Sequence, residues 1–309
     1  MKKWTLENQR CFPIKYVMSP YNEPRLTVEP GERITLEVSD SMGGRVQKEG
    51  DKPDPINVPY PNPVTGPIYV KGAEKGDTLI VDIHDLQPLR NTAVTKINNW
   101  WWYFMRPEAR AGVDAVSGMQ FPQRLRIMPI KDGRVWFNEK IGMPFSPDIG
   151  SIGTAPEVEA ILSVLPGPHG GNLDFPEITT GSKIYFPVNV PGALLHLCDA
   201  HARRGDMLFN GCSCVMEATA TMTLGLVKGK KINWPRIETP THIMATAASG
   251  PGITLEDAMR IAYVELVLWL TEYGFDKWDA YELTNLCTVR VGNPWTVGAK
   301  FPKEYLDKA

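Results

Sequence analysis

Proline and glycine fall too often in this sequence to leave room for many long helices. There are 27 of each among 309 residues, about 17% together against roughly 12% in average usage. Proline lacks the amide proton an inner helical turn needs, and glycine costs backbone entropy there. A helical bundle or long coiled coil is therefore excluded. Hydrophobic residues make up 43% of the chain, enough to offset the entropy of ordering a core, so a disordered chain is excluded too. What remains is a largely β fold of short elements and many turns.

Apolar alternation predicts the strands. Leu26–Val28 and Ile34–Val38 flank a Pro-Gly turn, and the second run empties into Ser39-Asp40-Ser41-Met42-Gly43-Gly44. Six prolines between residues 53 and 67 mark an irregular connection. Strands follow at 68–70 and 78–84, where Leu79, Val81 and Ile83 point one way. A hairpin is expected over 124–138 around Lys131-Asp132-Gly133. Further strands are expected at 183–190, 194–198 and 222–227, and a short helix at 156–163. The long helix is 255–273, with Thr254 and Asp257 as capping box and Gly274 at its end. A second helix follows from Trp278 to about Leu286, capped by Asp276. These elements divide the chain into a β-rich core over 1–230, divisible near 85–150, and an α/β part over 231–309 packing on it.

Charge and motifs remove whole classes of function. Thirty-three basic residues against 35 acidic ones give a net charge of −2 with no basic run, so no nucleic-acid partner is expected. No stretch approaches 18 apolar residues, so no membrane partner is expected either. The start, MKKWTLENQR, has no apolar segment behind its lysines and does not resemble a secretory signal. Five scattered cysteines fit a reduced, cytoplasmic chain. No nucleophile elbow, P-loop or dinucleotide fingerprint is present.

Chemistry-bearing residues are few. In an extended segment Asp199 and His201 share one face, roughly 6.6–7 Å apart along the chain. Such a pair can share a divalent metal, or it can be a hydrogen-bonded core or surface pair, which is commoner. His169 stands in a Gly-rich loop, Gly167–Asp174, and could add a second imidazole. Asp40 and Glu217 are the carboxylates best placed by local pattern. His196 has the opposite parity and reads as structural, as do His84 and His242. Cys212-Ser213-Cys214 reads as small buried thiols rather than a redox pair. The aromatic run at 100–104 fits a core, a subunit interface or a pocket wall.

Four segments together resemble the acetamidase/formamidase family: Gly66–Asp77, Gly150–Pro156 (GSIGTAP), Gly167–Asp174 (GPHGGNLD) followed by Pro187–Ala193, and Cys198–Asp206 (CDAHARRGD). The resemblance runs over most of residues 30–306. It implies a mainly β fold with a smaller α/β part (α+β), a β-sandwich- or barrel-like core with a C-terminal helix pair, a homo-oligomer, and hydrolysis of short carboxamides to the acid and ammonia. It also implies a divalent metal near the D-x-H motif, zinc first and calcium as an alternative, with Asp199, His201 and His169 as ligands. On that reading Asp40 or Glu217 does the proton work, and Gly43, Gly44, Gly170 and Gly171, with Asn172, face the substrate. The run at 100–104 hints at a larger amide. A non-catalytic β-sandwich binding protein and a cysteine hydrolase using Cys198 or Cys212 are the competing readings.

Overall fold

The structure, a computed structural model, describes residues 2–51, 60–97, 124–208 and 211–308. The aromatic run at 100–104 lies outside the described residues. Among the described residues strands dominate, and they form four sheets. The largest has nine strands in the order β1 (Lys2–Trp4), β4 (Arg33–Val38), β16 (Ala218–Val227), β6 (Thr78–Pro88), β14 (Lys183–Pro187), β17 (Arg236–Glu238), β18 (His242–Ala248), β20 (Thr296–Pro302) and β19 (Thr288–Val291). It is antiparallel except for the β1–β4 edge. One sheet thus runs through strands on both sides of residue 230.

A five-stranded sheet carries β13 (Gly170–Asn172), β11 (Asp148–Gly153), β15 (Leu195–His201), β5 (Thr65–Val70) and β3 (Leu26–Val28). A four-stranded sheet joins β10 (Gly142–Pro144), β9 (Arg134–Trp136), β8 (Arg124–Lys131) and β7 (Thr92–Ile97), and β12 (Ile161–Leu162) pairs with β2 (Val17–Met18). The β8–β9 turn is the expected hairpin, with Asp132 and Gly133 both at positive φ. The strands either side of the first Pro-Gly turn do not pair with each other: β3 joins the five-stranded sheet and β4 the nine-stranded one.

The two larger sheets face each other across one apolar cluster. Ile34, Leu36, Leu79, Val81 and Ile83 come from one side and Ile68, Ile149, Leu195 and Leu197 from the other. Along β6 the pairing with β16 shifts by one residue at Thr221–Met222. That bulge resets the alternation, so Leu86 is buried after Ile83.

Among the described residues the α-helices are α1 (Leu6–Arg10), α2 (Leu255–Glu272) and α3 (Lys277–Leu283). The Thr254 hydroxyl accepts from the Asp257 amide at 3.1 Å, and the Asp257 carboxylate accepts from the Thr254 amide at 3.2 Å. Gly274 follows the helix at φ +106°. Asp276 caps α3 by accepting from the Trp278 amide. On β18, Met244 joins the main core while Ile243 and Ala245 join the cluster under α2. Alternate side chains of a strand point to opposite faces, so α2 covers the face away from the five-stranded sheet.

The expected helix at 156–163 is absent. Its last residues pair instead with β2, and the Ser163 amide donates to the Tyr16 carbonyl at 2.8 Å. No helix among the described residues is long and apolar enough to cross a membrane.

Candidate functional site

The site grows from the β11–β15 ladder. Asp148 pairs with His201, Ile149 with Ala200 and Ser151 with Cys198, which leaves Gly150 opposite Asp199. A Cβ on Gly150 would lie 2.6 Å from the His201 ring, 2.7 Å from Asp174 Oδ1 and 2.9 Å from the Asp199 carbonyl. Only a residue without a side chain lets these three groups converge. Asp174, just beyond β13, and Asp199, within β15, both take positive φ, +55° and +62°. Such backbone is costly for most side chains and concentrates at functional sites. Each is pinned by its own amide, Asp174 to the Gly150 carbonyl at 3.0 Å and Asp199 to the Ser39 carbonyl at 2.7 Å.

One ligand atom from each of Asp174, Asp199 and His201 lies within 4.8 Å of the others. All three side chains are buried. The hydrogen bonds around them divide each carboxylate in two. Asp174 Oδ2 accepts from Asn172 Nδ2 at 2.8 Å and Asn293 Nδ2 at 2.9 Å, and Asp199 Oδ2 accepts from Asn62 Nδ2 at 3.2 Å. The Oδ1 atoms of both, and His201 Nε2, have no hydrogen-bond partner. His201 Nε2 lies 3.6 Å from Asp199 Oδ1, beyond a hydrogen bond. Three buried, converging atoms that make no hydrogen bond are costly unless a further cation sits among them. The donor set, one imidazole and two carboxylates, suits a divalent metal such as zinc. The other ring nitrogen, His201 Nδ1, lies 3.2 Å from Asp148 Oδ1. A proton on Nδ1 would donate there and leave the Nε2 lone pair for a cation, the usual carboxylate–histidine–metal arrangement.

Arg204 completes the cluster. Its Nε donates to Asp148 Oδ1 at 2.7 Å, and its Nη1 lies 3.4 Å from Asp174 Oδ1. Three carboxylates thus face one guanidinium and one imidazole in a buried space. Burial pushes the Asp199 carboxyl up to about 7, against the pull of His201. Burial depresses His201, but Asp199 and Asp148 together outweigh it and raise its pKa.

Asp174, Asp199 and His201 border a cavity of about 70 Å³ that Ser41, Lys96, Cys212 and Trp295 also line. Burial pushes the Cys212 thiol up to about 12 and holds that of Cys198 well above its ordinary value. Both are neutral thiols near pH 7, which disfavours a thiolate nucleophile.

The structure brings Asp199, His201 and Asn172 to this cavity, and leaves the other expected residues away from it. His169 is buried outside the converging group, packed beside Gly167 and Gly171 with neither ring nitrogen bonded. Burial pushes its pKa down to about 4, so the ring is neutral. Asp40 closes its own turn, accepting from the Met42 and Gly44 amides at 2.8 Å each. Glu217 pairs with Arg90 and passes where a Gly44 side chain would stand.

Three of the four expected backbone donors are also committed. The Gly43 and Gly44 amides bond to Asp40, and the Gly170 amide to the Gly167 carbonyl. Gly170 and Gly171 instead allow β13 to lie against β11 and the 165–169 loop. His196 bonds to Asn22 at 3.0 Å.

Sequence reasoning missed Asp148, Asp174, Asn62, Asn293 and Arg204. Asp174 had a signal, because Asn172-x-Asp174 repeats the spacing of Asp199-x-His201 at the end of the same Gly-rich loop.

The family model for the Acetamidase/Formamidase family matches residues 18–160 and 150–294. An acetamidase from Mycolicibacterium smegmatis is 27% identical over 256 residues, 66% of this chain and 63% of that protein. A formamidase from Methylophilus methylotrophus is 26% identical over 247 residues, 65% of this chain and 61% of that protein. The matched stretch therefore spans less than two thirds of these curated relatives. The crystal structure of an acetamidase from Yersinia enterocolitica is 34% identical and superposes with a TM-score of 0.86, covering 99% of this chain and 92% of that one. The chain belongs to the acetamidase/formamidase family.

Proposed function

We propose that this protein hydrolyses the C–N bond of small linear carboxamides, giving a carboxylate and ammonia, with Asp174, Asp199 and His201 holding a divalent cation. The observation that carries the reading is the set of three buried ligand atoms left without donors at a small cavity. Family membership and the names of the relatives support the reaction class. Zinc fits the donor set better than calcium, which prefers six to eight oxygens. Such an ion, when bound, supplies Lewis acidity and lowers the pKa of water.

The chain's own residues do the rest. Asp148 orients the His201 ring from behind, and Asn62, Asn172 and Asn293 hold the two carboxylates by their outer oxygens. Asp40 and Glu217 support the wall through the 39–44 turn, which places Ser41 at the cavity. The small cavity favours formamide- or acetamide-sized substrates over larger amides.

Ammonia release from formamide, acetamide and benzamide, measured beside elemental analysis of the purified protein, tests this. The expected result is about one equivalent of divalent metal and activity falling with acyl size. A metal-free protein of full activity would sink the metal assignment, and no release from any amide would sink the reaction.

A further inference from the structure

A second cavity lies on the opposite side of the nine-stranded sheet, under the C-terminal end of α2. Its volume is about 230 Å³, roughly three times that of the first, and the two share no lining residue. Tyr185, Trp269 and Tyr273 form aromatic walls, and Arg236, Lys230 and Glu272 supply the charges. The Tyr185 and Trp269 rings meet edge-on at 5.8 Å, and Trp269 and Tyr273 lie 6.5 Å apart. The Arg236 guanidinium sits 5.1 Å from the Trp269 ring centre.

The charges do not cancel. Arg236 Nη1 and Lys230 Nζ each lie 2.7 Å from a different oxygen of Glu272, so two cations share one carboxylate. Glu238, bonded by the Tyr185 hydroxyl at 2.6 Å, is matched by Lys303 at 2.6 Å and adds no net charge. The C-terminus of α2 carries about half a negative charge, which offsets only part of the excess. Arg236 is 5% exposed, and its Nε has no hydrogen-bond partner. A buried guanidinium N–H without an acceptor beside a roomy aromatic cavity asks for an anion with a flat apolar body.

We infer that this cavity is a second small-molecule site, distinct from the candidate amidase centre, and that it takes a monocarboxylate carrying a single planar ring. The carboxylate faces Arg236 and Lys230, and the ring packs among Tyr185, Trp269 and Tyr273. A cationic ligand is disfavoured, because Arg236 already occupies the face of Trp269 and two positive charges line the wall.

Isothermal titration of benzoate into the full chain tests the site, with acetophenone as a neutral match in shape and benzylammonium as the opposite charge. Benzoate should bind, and the other two should bind at least about tenfold more weakly. Arg236→Gln should weaken benzoate at least about tenfold, whereas Asp199→Asn, at the other cavity, should change it by less than about twofold. Should Arg236→Gln lose its cooperative melt, Lys230→Gln at the half-exposed cation should still weaken binding about threefold or more. Four results would overturn the proposal: no benzoate binding at about 10 mM, equal binding of acetophenone or benzylammonium, benzoate affinity unmoved by the cation variants, or affinity lost in Asp199→Asn alone.

Discussion

Asp40 and Asp199 are both buried acids, and their segments touch through the Asp199 amide and the Ser39 carbonyl. Their oxygens meet opposite fates. Asp40 Oδ1 takes two amide protons from its own turn, so its charge is consumed locally in shaping Met42–Gly44. Asp199 has one oxygen held by Asn62 and the other left without a donor beside His201 and Asp174. A buried carboxylate whose bonds all close its own turn is structure. One with an open oxygen aimed at two others is a candidate binding site. Glycine follows the same division: Gly44 makes room for Glu217, while Gly150 makes room for the cluster itself.

The sharpest way to break this contrast is to replace the open ligands. Asp199→Asn or His201→Ala should lower amide hydrolysis by about three orders of magnitude, roughly 4 kcal/mol of transition-state stabilisation, and strip the bound metal. Ammonia release and elemental analysis read both. Asp148→Asn removes the carboxylate behind His201 and leaves the ligands in place. A loss of about 10–100-fold in activity or metal affinity is expected, as for other groups that orient a ligand.

The glycines come next. Gly150→Ala should cut activity about tenfold by pushing His201 and Asp174 apart. Gly44→Ala should instead cost stability, about 1–3 kcal/mol from overpacking against Glu217, with activity little changed. Thermal melts and kcat measured on both variants separate the two outcomes. The smallest effect belongs to Asp40→Asn. The amide oxygen can still accept from Met42 and Gly44, so activity should stay within about threefold. A loss as large as that of Asp199→Asn would erase the distinction between the two acids.

How much of this was legible in the sequence depends on how local the cause is. The α2 boundaries are fixed by neighbours in the chain, Thr254, Asp257 and Gly274, and period-2 burial on β6 is equally local. Asp199 and His201 are two residues apart, so their shared face could be read directly. Asp148, Asn62 and Asn293 reach the cluster from 53, 137 and 119 residues away from the groups they bond. No spacing rule links such segments, because only the β11–β15 pairing and the packing of loops bring them together. His169 misleads for a related reason. A Gly-rich loop signals close approach, but here the approach is of strand to strand, and the ring is packed in beside it. The helix expected at 156–163 fails because β2, far back in the chain, claims its last residues as a strand.

The positive φ angles of Asp174 and Asp199 set the site against the stability of the chain that carries it. Aspartate tolerates that backbone better than most residues, but glycine does so freely. Glycine at either position would relax the backbone and also remove a buried charge with an open oxygen. Selection for heat resistance alone would therefore drift toward the very substitutions that erase the candidate ligands. On the proposed reading these two residues exchange stability for function, so thermostable variants of this protein should be sought elsewhere in the chain.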